Sequence, residues 1–231
     1  MGVVIVAAGQ GTRLGGGVPK QYRDLGGVPM LLRALLPFTA HPDVAHTVVM
    51  LPPGDEGHPP PWLAELLGDE LSVAAGGAER RDSVAHGLAA LPGTCTLVLV
   101  HDGARPLVDR ATIDAVVAVA RRGEGAVPAV PLEDTLKEVA EPPSPGAAGP
   151  PSLLVSRTIP RDRLWRAQTP QGFPRALLEE AHARARQDPG PATDDAVLVE
   201  RLGAHVRLVP GSVLNFKVTT EEEFRLAERL L

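Results

Sequence analysis

The sequence is poor in several residue types, and each shortage excludes a class of protein. It has one cysteine, Cys95, so no disulfide can form within the chain. No apolar run approaches the roughly 18 residues of a membrane-spanning helix, and no charged segment precedes an apolar one at the N-terminus. We therefore expect a soluble, cytoplasmic protein that binds no membrane.

Charge is spread evenly along the chain. The formal net charge is -5 at pH 7 and no block of like charge stands out, so we expect no nucleic-acid partner. Lysine is scarce, with 3 of the 23 basic residues, which makes the position of each lysine informative. A chain of 231 residues is long enough for one sizeable core, and we predict a single domain over residues 1–231.

Short β-branched runs alternate with helical patterns. The runs are mostly apolar without period-2 alternation, which is typical of parallel strands buried on both faces. Strands are predicted over 3–6, 47–51, 71–74, 96–100, 126–130 and 205–209, and helices over 30–38, 83–91, 109–122, 174–186 and 194–202. A last helix is predicted to begin at the capping box formed by Thr220 and Glu223. This order predicts right-handed βαβ units and an open α/β sheet covered on both sides.

The alternation breaks between Glu133 and Arg161. Two short strand-like pieces, 135–139 and 153–158, surround a tip rich in proline and glycine, which predicts a hairpin with a long tip. Such a hairpin cannot make a core of its own and needs a surface to lie against. The residues leave two possibilities open: the arm packs back on its own domain, or it reaches into another subunit.

A glycine-rich run, AAGQGTRLGGGVPK, follows the first predicted strand at residues 7–20. It is not a P-loop because no Ser or Thr follows Lys20, and it is not a dinucleotide-binding turn because Leu14 stands where the third glycine belongs. What remains is a long loop with free N–H groups and two cations, Arg13 and Lys20. Backbone amides and cations suit a triphosphate, whereas a simple turn would leave the cations unexplained.

Further motifs follow the loop in order. The sequence GGAERRDSV begins at Gly76, VHDGARP at Val100, AQTPQ at Ala167, TDD at Thr193 and NFKVT at Asn215. Together with AAGQGTRL and PKQ, they resemble the 2-C-methyl-D-erythritol 4-phosphate cytidylyltransferase family of the non-mevalonate isoprenoid pathway, over about residues 3–229. The resemblance implies a Rossmann-like nucleotidyltransferase domain with a mostly parallel sheet and a β-hairpin dimerisation arm. It also implies the reaction of CTP with methylerythritol phosphate to give the CDP-alcohol and pyrophosphate.

The resemblance further implies a role for each matched residue. The catalytic residues are Arg13, Lys20, Lys217 and Asp102, of which Asp102 also holds the cofactor Mg²⁺. The nucleotide contacts are Ala7, Ala8, Gly9, Gly11, Gly76, Gly77, Ala78, Ser83 and Gly103. The acceptor contacts are Arg105, Thr169 and Thr193 from one subunit, with Thr135 and Arg161 from a partner's arm. The arm over 133–161 is therefore expected to form a symmetric homodimer.

Single residues also have plainer interpretations. Asp102 ends a buried strand, where α/β proteins bind ligands, but it could instead cap the following turn or pair with Arg105. Ser83 fits a first-turn serine as well as a nucleotide contact. His101 is expected to be a packed neighbour, because an attacking phosphate is already ionised and needs no general base.

Two other functions stay open on the residues alone. A ribitol phosphate cytidylyltransferase, or one for another polyol phosphate, could carry the same triphosphate loop. A non-catalytic nucleotide-binding module would need no Lys217, no Asp102 and no acceptor pocket. The chain also departs from the family at Ala78, where relatives often carry a polar residue, and at Gly103, where alanine is common.

Overall fold

The computed structural model describes residues 1–9, 18–140, 153–187 and 190–231. The strands in these ranges are β1 (Gly2–Val6), β2 (His46–Leu51), β3 (Leu71–Ala75), β4 (Leu97–Asp102), β5 (Gly125–Pro131), β6 (Leu136–Val139), β7 (Val155–Ile159), β8 (Trp165–Ala167), β9 (Gln171–Pro174) and β10 (Val206–Pro210). The α-helices are α1 (Met30–Thr39), α2 (Pro61–Ala64), α3 (Arg80–Ala90), α4 (Arg110–Ala120), α5 (Arg175–Gln187), α6 (Asp195–Arg201) and α7 (Glu221–Arg229), and Lys20–Tyr22 forms one 3₁₀ turn.

The main sheet has the strand order β10-β5-β9-β4-β1-β2-β3, and β8 pairs with β5 at its side. β1 is parallel to both β2 and β4, β2 is parallel to β3, and β10 is parallel to β5. β9 runs antiparallel between β4 and β5. The predicted α/β class with a mostly parallel sheet is confirmed.

Successive side chains of β1 enter different cores. Val3 and Ile5 pack with α1 and α4 on one face of the sheet, whereas Val4 packs with α3 and α5 on the other. Because the side chains of a strand alternate between faces, a strand covered on both sides needs an unbroken apolar run. This explains why GVVIV shows no period-2 pattern, and it confirms the prediction that helices cover both faces.

The strand order reverses beside β1. From β1 the chain goes outward through β2 to β3, and it then returns to place β4 on the opposite side of β1. Val6 at the end of β1 lies in register with Asp102 at the end of β4. In open α/β sheets, ligands bind outside the carboxyl ends of the strands at such a reversal. The fold therefore points to the edge beyond Val6 and Asp102 as the binding edge.

The predicted hairpin is also present. β6 and β7 pair antiparallel and form a sheet of their own. Their side chains are mostly exposed, and the tip over 141–152 lies outside the described residues. The hairpin is confirmed as local structure, and its contact with another subunit stays a prediction. In the described part of the chain, no helix combines the length and the apolar character needed to cross a membrane.

Candidate active site

A cleft of about 380 Å³ opens at the carboxyl edge of β1 and β4. Its walls come from the segments after β1 and β4, the start of α3, the 3₁₀ turn and the segment before α7. The predicted site residues among its lining are Ala7, Ala8, Gly9, Lys20, Ser83, Asp102, Gly103 and Lys217. Residues far apart in sequence therefore meet where the strand order reverses.

Cations approach the Asp102 carboxylate from several directions. Lys217 Nζ lies 3.0 Å from Asp102 Oδ2, and Arg80 Nε donates to Asp102 Oδ1 at 3.1 Å. Arg105 Nε is 3.7 Å from Oδ2, and another nitrogen of the same guanidinium, Nη1, donates to the Asn215 carbonyl at 2.7 Å. Asp102 thus pairs with Arg105, as one plainer interpretation required, but it also faces the cleft and Lys217.

These cations set the protonation state of Asp102. Burial on its own would raise the pKa of the carboxyl group. The nearby positive charges, of which Arg80 and Lys217 act most strongly, outweigh burial and hold the pKa of Asp102 well below its ordinary value. Asp102 is therefore a carboxylate throughout the neutral pH range, as a ligand for a cation must be.

The backbone of Asp102 is fixed from behind by a buried polar chain. Its N–H donates to Thr169 Oγ1 at 3.0 Å, and the same hydroxyl is 3.0 Å from His101 Nδ1. The other ring nitrogen, Nε2, is 3.1 Å from the Arg105 carbonyl. Burial lowers the pKa of His101 to about 4, so the ring is neutral at pH 7. Both ring nitrogens are engaged away from the cleft, which agrees with a packed neighbour.

A second buried carboxylate stands behind Arg80. Asp195, at the first residue of α6, is 1% exposed and accepts from Arg80 Nη1 at 2.6 Å. Its other oxygen is 3.1 Å from His182 Nε2. Burial would lower the pKa of Arg80, but Asp195 and Asp102 outweigh burial and raise that pKa. The guanidinium is therefore held between two carboxylates.

Lys20 reaches the cleft from the 3₁₀ turn. Its Nζ donates to the Val218 carbonyl, next to Lys217. The end of the turn is tied to α7, because Arg23 forms two hydrogen bonds with Glu221, at 2.7 and 3.2 Å, and stacks 4.2 Å from the centre of the Phe224 ring. Lys20 and Lys217, which are far apart in sequence, thus share one wall.

The opposite wall is made of small residues. Ala7 N donates to the Met50 carbonyl at 3.0 Å, which carries the chain across the end of β2. A Cβ on Gly76 would overlap that of Ala8, so only glycine allows these two segments to approach. Ser83 Oγ accepts from Gly77 N at 3.0 Å and donates to the Glu79 carbonyl at 3.2 Å. Ser83 is therefore a first-turn serine that also lines the cleft.

Several predicted residues lie outside the cleft. Thr169 is buried behind Asp102, Arg105 is packed beneath it, Gly76 and Gly77 support the small-residue wall, and Ala78 and Thr193 are exposed. Thr135 and Arg161 are exposed at the base of the hairpin, where Arg161 donates to the Glu133 carbonyl. Gly11 and Arg13 lie outside the described residues.

Sequence reasoning missed Arg80 and Asp195. Both stand inside quoted motifs, in GGAERRDSV and TDD, where Arg80 is followed by a second arginine and Asp195 is preceded by a second aspartate. Nothing in the spacing distinguishes the members of these doublets. A signal was present in α3, because Arg80 is its first residue and precedes Ser83 by one turn, which places both on the same side of the helix start, where both line the cleft.

The donor set fits one kind of metal site. The described residues contain no group of three or more His, Cys, Asp or Glu side chains that could hold a metal ion. Mg²⁺ usually takes one or two protein carboxylates and completes its shell with water and phosphate oxygens of the substrate. An ionised Asp102 at the cleft meets that requirement for a metal held jointly with a phosphate ligand.

Comparison with known proteins agrees with this arrangement. A family model described as 2-C-methyl-D-erythritol 4-phosphate cytidylyltransferase matches residues 1–231. Proteins of that name from Salinibacter ruber and Streptomyces coelicolor are 46% and 47% identical to the chain, with 100% and 99% of the chain and 92% and 83% of those proteins covered. The crystal structure of such an enzyme from Thermus thermophilus superposes with a TM-score of 0.78 at 39% identity, over 98% of this chain and 96% of that one.

The match spans the loop, the cleft and the hairpin together, so no part of the fold described above falls outside it. The identity to these two proteins exceeds 40% over nearly the whole chain, and it agrees with the ordered motifs and with the geometry of the site. The chain belongs to the 2-C-methyl-D-erythritol 4-phosphate cytidylyltransferase family.

Proposed function

We propose that the protein transfers a cytidylyl group from CTP to 2-C-methyl-D-erythritol 4-phosphate and releases pyrophosphate. The observation that carries this proposal is the meeting of Lys217 and Asp102, 3.0 Å apart, at the edge of the sheet where the strand order reverses. A nucleotide-binding module without catalysis would need neither group at that edge. The family assignment supplies the nucleotide and the acceptor.

The reaction requires two anions to meet. An oxygen of the acceptor phosphate attacks the α-phosphorus of CTP, a new P–O bond forms, and the bond to the β-phosphate oxygen breaks as pyrophosphate leaves. The attacking oxygen already carries its charge, so no proton has to be removed. Positioning and positive charge therefore supply most of the catalysis, as in other phosphoryl transfers.

The cleft offers cations for both tasks. In this proposal Lys217 meets the α-phosphate, and Lys20 on the same wall meets the rest of the triphosphate. The family resemblance adds Arg13, which lies outside the described residues. The small residues Ala7, Ala8 and Gly9 on the other wall leave room for a flat base to approach the main chain. The base, the triphosphate and the reacting phosphorus thereby take separate parts of one cleft.

Mg²⁺ is the cofactor that we propose for this site. Asp102 would hold it, and the bound ion would neutralise charge on the phosphate oxygens. The low pKa of Asp102 keeps the carboxylate available at the pH of the reaction. Within the protein, Asp102 is held by its backbone bond to Thr169 and by the contacts of its carboxylate with Arg80 and Lys217.

We further propose that residues 133–161 form a dimerisation arm. The arm exposes apolar side chains that its own subunit does not cover, with Leu154 78% exposed and Val155 50% exposed. A second copy of the chain would bury them and would bring Thr135 and Arg161 to the acceptor bound by Arg105 and Thr193 of the first. An arginine suits the acceptor phosphate because its fork binds two oxygens at once.

One assay tests the activity directly. Purified protein is incubated with CTP, Mg²⁺ and either methylerythritol phosphate or ribitol 5-phosphate, and the release of pyrophosphate is followed. We expect release with methylerythritol phosphate and little with ribitol 5-phosphate. Release with ribitol 5-phosphate alone would replace the acceptor, and no release with either acceptor would contradict the proposal.

A further inference from the structure

An ion pair joins the wall of the cleft to the interior. Arg80 lines the cleft with a side chain that is 25% exposed, and Asp195 is buried behind it. Arg80 Nη1 and Asp195 Oδ2 are 2.6 Å apart, and the Asp195 side chain is 1% exposed. Burial would raise the pKa of Asp195, but Arg80 and His182 together outweigh burial and lower that pKa, so the carboxylate is charged. Its second oxygen faces His182 Nε2 at 3.1 Å. Both oxygens of Asp195 are thus committed within the protein.

Asp195 is itself held in place by the main sheet. Its backbone N–H, together with that of Ala196, donates to Gln171 Oε1 at 3.2 and 3.0 Å, and Gln171 begins β9. The amide nitrogen of Gln171 donates to Asp194 Oδ2 at 2.7 Å, and Asp194 caps the start of α6. The carboxylate of Asp195 therefore occupies a position that is fixed by β9 and α6 together.

Arg80 transmits that position to the cleft. The guanidinium group is planar and presents its nitrogens at fixed angles, so the anchor at Nη1 determines where Nε stands. Nε donates to Asp102 Oδ1 at 3.1 Å. Oδ2 of the same carboxylate is then directed to Lys217 at 3.0 Å. The orientation of Asp102 follows from the anchor that lies on α6.

Stability alone does not account for this pair. Taking the Asp195 carboxylate and most of the Arg80 guanidinium out of water costs several kcal/mol, and well-packed apolar residues of similar volume often serve stability as well or better. A lysine at position 80 would not replace the arginine, because one ammonium group cannot present the fork that faces Asp195 and Asp102 at once. What the pair supplies is a fixed geometry at the cleft.

We propose that Arg80 and Asp195 act as a positioning pair, which orients the Asp102 carboxylate for the metal-bound triphosphate. The proposal rests on the function proposed above, in which Asp102 serves the metal and the phosphate. Asp195 does not touch the substrate and acts through Arg80. Groups behind a metal-binding carboxylate typically change metal affinity or activity by about 10–100-fold when they are removed.

The variant Asp195→Asn tests the pair, because it keeps the shape of the side chain and removes its charge. We expect kcat/KM for CTP to fall about 10–100-fold and the Mg²⁺ concentration for half-maximal activity to rise. Calorimetric titration of CTP in the presence of Mg²⁺ should show weaker binding, which is a readout independent of turnover. The matched control is Asp43→Asn, which breaks the ion pair with Arg121 (2.8 Å) on the surface and should change each quantity less than twofold.

A second variant covers the case in which Asp195→Asn does not fold. Arg80→Met combined with Asp195→Asn removes both charges, so that no unpaired charge of the pair stays buried. We expect this double variant to unfold at about the wild-type temperature and still to lose CTP binding and kcat/KM. A folded single or double variant that binds CTP and turns over as the wild type does would overturn the positioning pair. An inactive wild-type protein in the same assay would instead refute the proposed function.

Discussion

The replacement Lys217→Ala separates catalysis from stability. Lys217 is 43% exposed, so its ion pair with Asp102 is screened by solvent and contributes about 0–1 kcal/mol to folding. Asp102 keeps Arg80 and Arg105 as partners after the change, and no cavity opens in the core. Loss of a positioned group that stabilises transition-state charge costs about 100- to 1,000-fold in kcat, or about 2.7–4 kcal/mol. The effect on turnover should therefore exceed the effect on unfolding severalfold.

Urea unfolding and pyrophosphate release, measured on the same preparations, give the two quantities. Arg121→Ala is a matched control, because Arg121 lies outside the cleft at the end of α4, where its Nη2 donates to Asp43 Oδ2 at 2.8 Å. We expect the control to keep wild-type turnover. If Lys217→Ala unfolds far more easily while turnover per folded molecule is unchanged, Lys217 is structural and the mechanism is wrong.

Three further changes have definite outcomes. Between pH 6.5 and 4, His101 is protonated in the unfolded chain but not in the folded chain, so acid should lower the free energy of unfolding by about 3 kcal/mol. His101→Gln should remove this part of the dependence of the unfolding free energy on pH, as measured by urea unfolding at several pH values. Gly76→Ala forces a methyl group against Ala8 and should raise KM for CTP about tenfold, since overpacking costs about 1–3 kcal/mol; Gly93→Ala, with nothing within 4 Å, is the neutral control. Leu154→Glu should shift sedimentation from dimer to monomer at unchanged folding, and a fully active wild-type monomer would contradict the shared arm.

The elements that the sequence predicted are those whose pattern depends on burial. GVVIV of β1 and the buried TVVML of β2 form unbroken apolar or β-branched runs because both faces of the sheet are covered, and such runs predict strands. The hairpin was predicted from its turn residues, and the last helix from the Thr220 and Glu223 capping box, which the structure confirms with hydrogen bonds of 3.2 and 2.8 Å. Local chemistry and a two-sided core were enough for these elements.

β8 and β9 were not predicted, because their residues carry no such pattern. β8 has 3 residues, all exposed, and β9 has 4, of which one is glycine and one is proline. Position 172 of β9 requires glycine, because a Cβ there would overlap the side chains of Val116 and Leu99. These strands form because β4 and β5 present free edges to the returning chain, and this is information that a local window does not contain.

The site was predictable only where a residue belonged to a recognised motif with one chemical role. Asp102 and Lys217 are such residues, and the structure brings them to one cleft. Thr169 belongs to a motif too, but its hydroxyl accepts from the Asp102 backbone, so its position behind the carboxylate depends on β9 running antiparallel beside β4. Whether a polar residue faces the cleft or supports it from behind is decided by strand direction, which sequence spacing does not reveal.

The charges around Asp102 explain how a cleft made for polyanions stays folded without one. Lys217, Arg80 and Arg105 would repel one another if no anion stood among them. Asp102 compensates them from the front and Asp195 compensates Arg80 from behind, and both carboxylates have lowered pKa values. We expect the oxygens of an entering triphosphate to replace the contact of Asp102 with the half-exposed Lys217, while the contact of Arg80 with the buried Asp195 stays as it is. We therefore expect Lys217 to exchange its protein partner for the substrate more easily than Arg80 does.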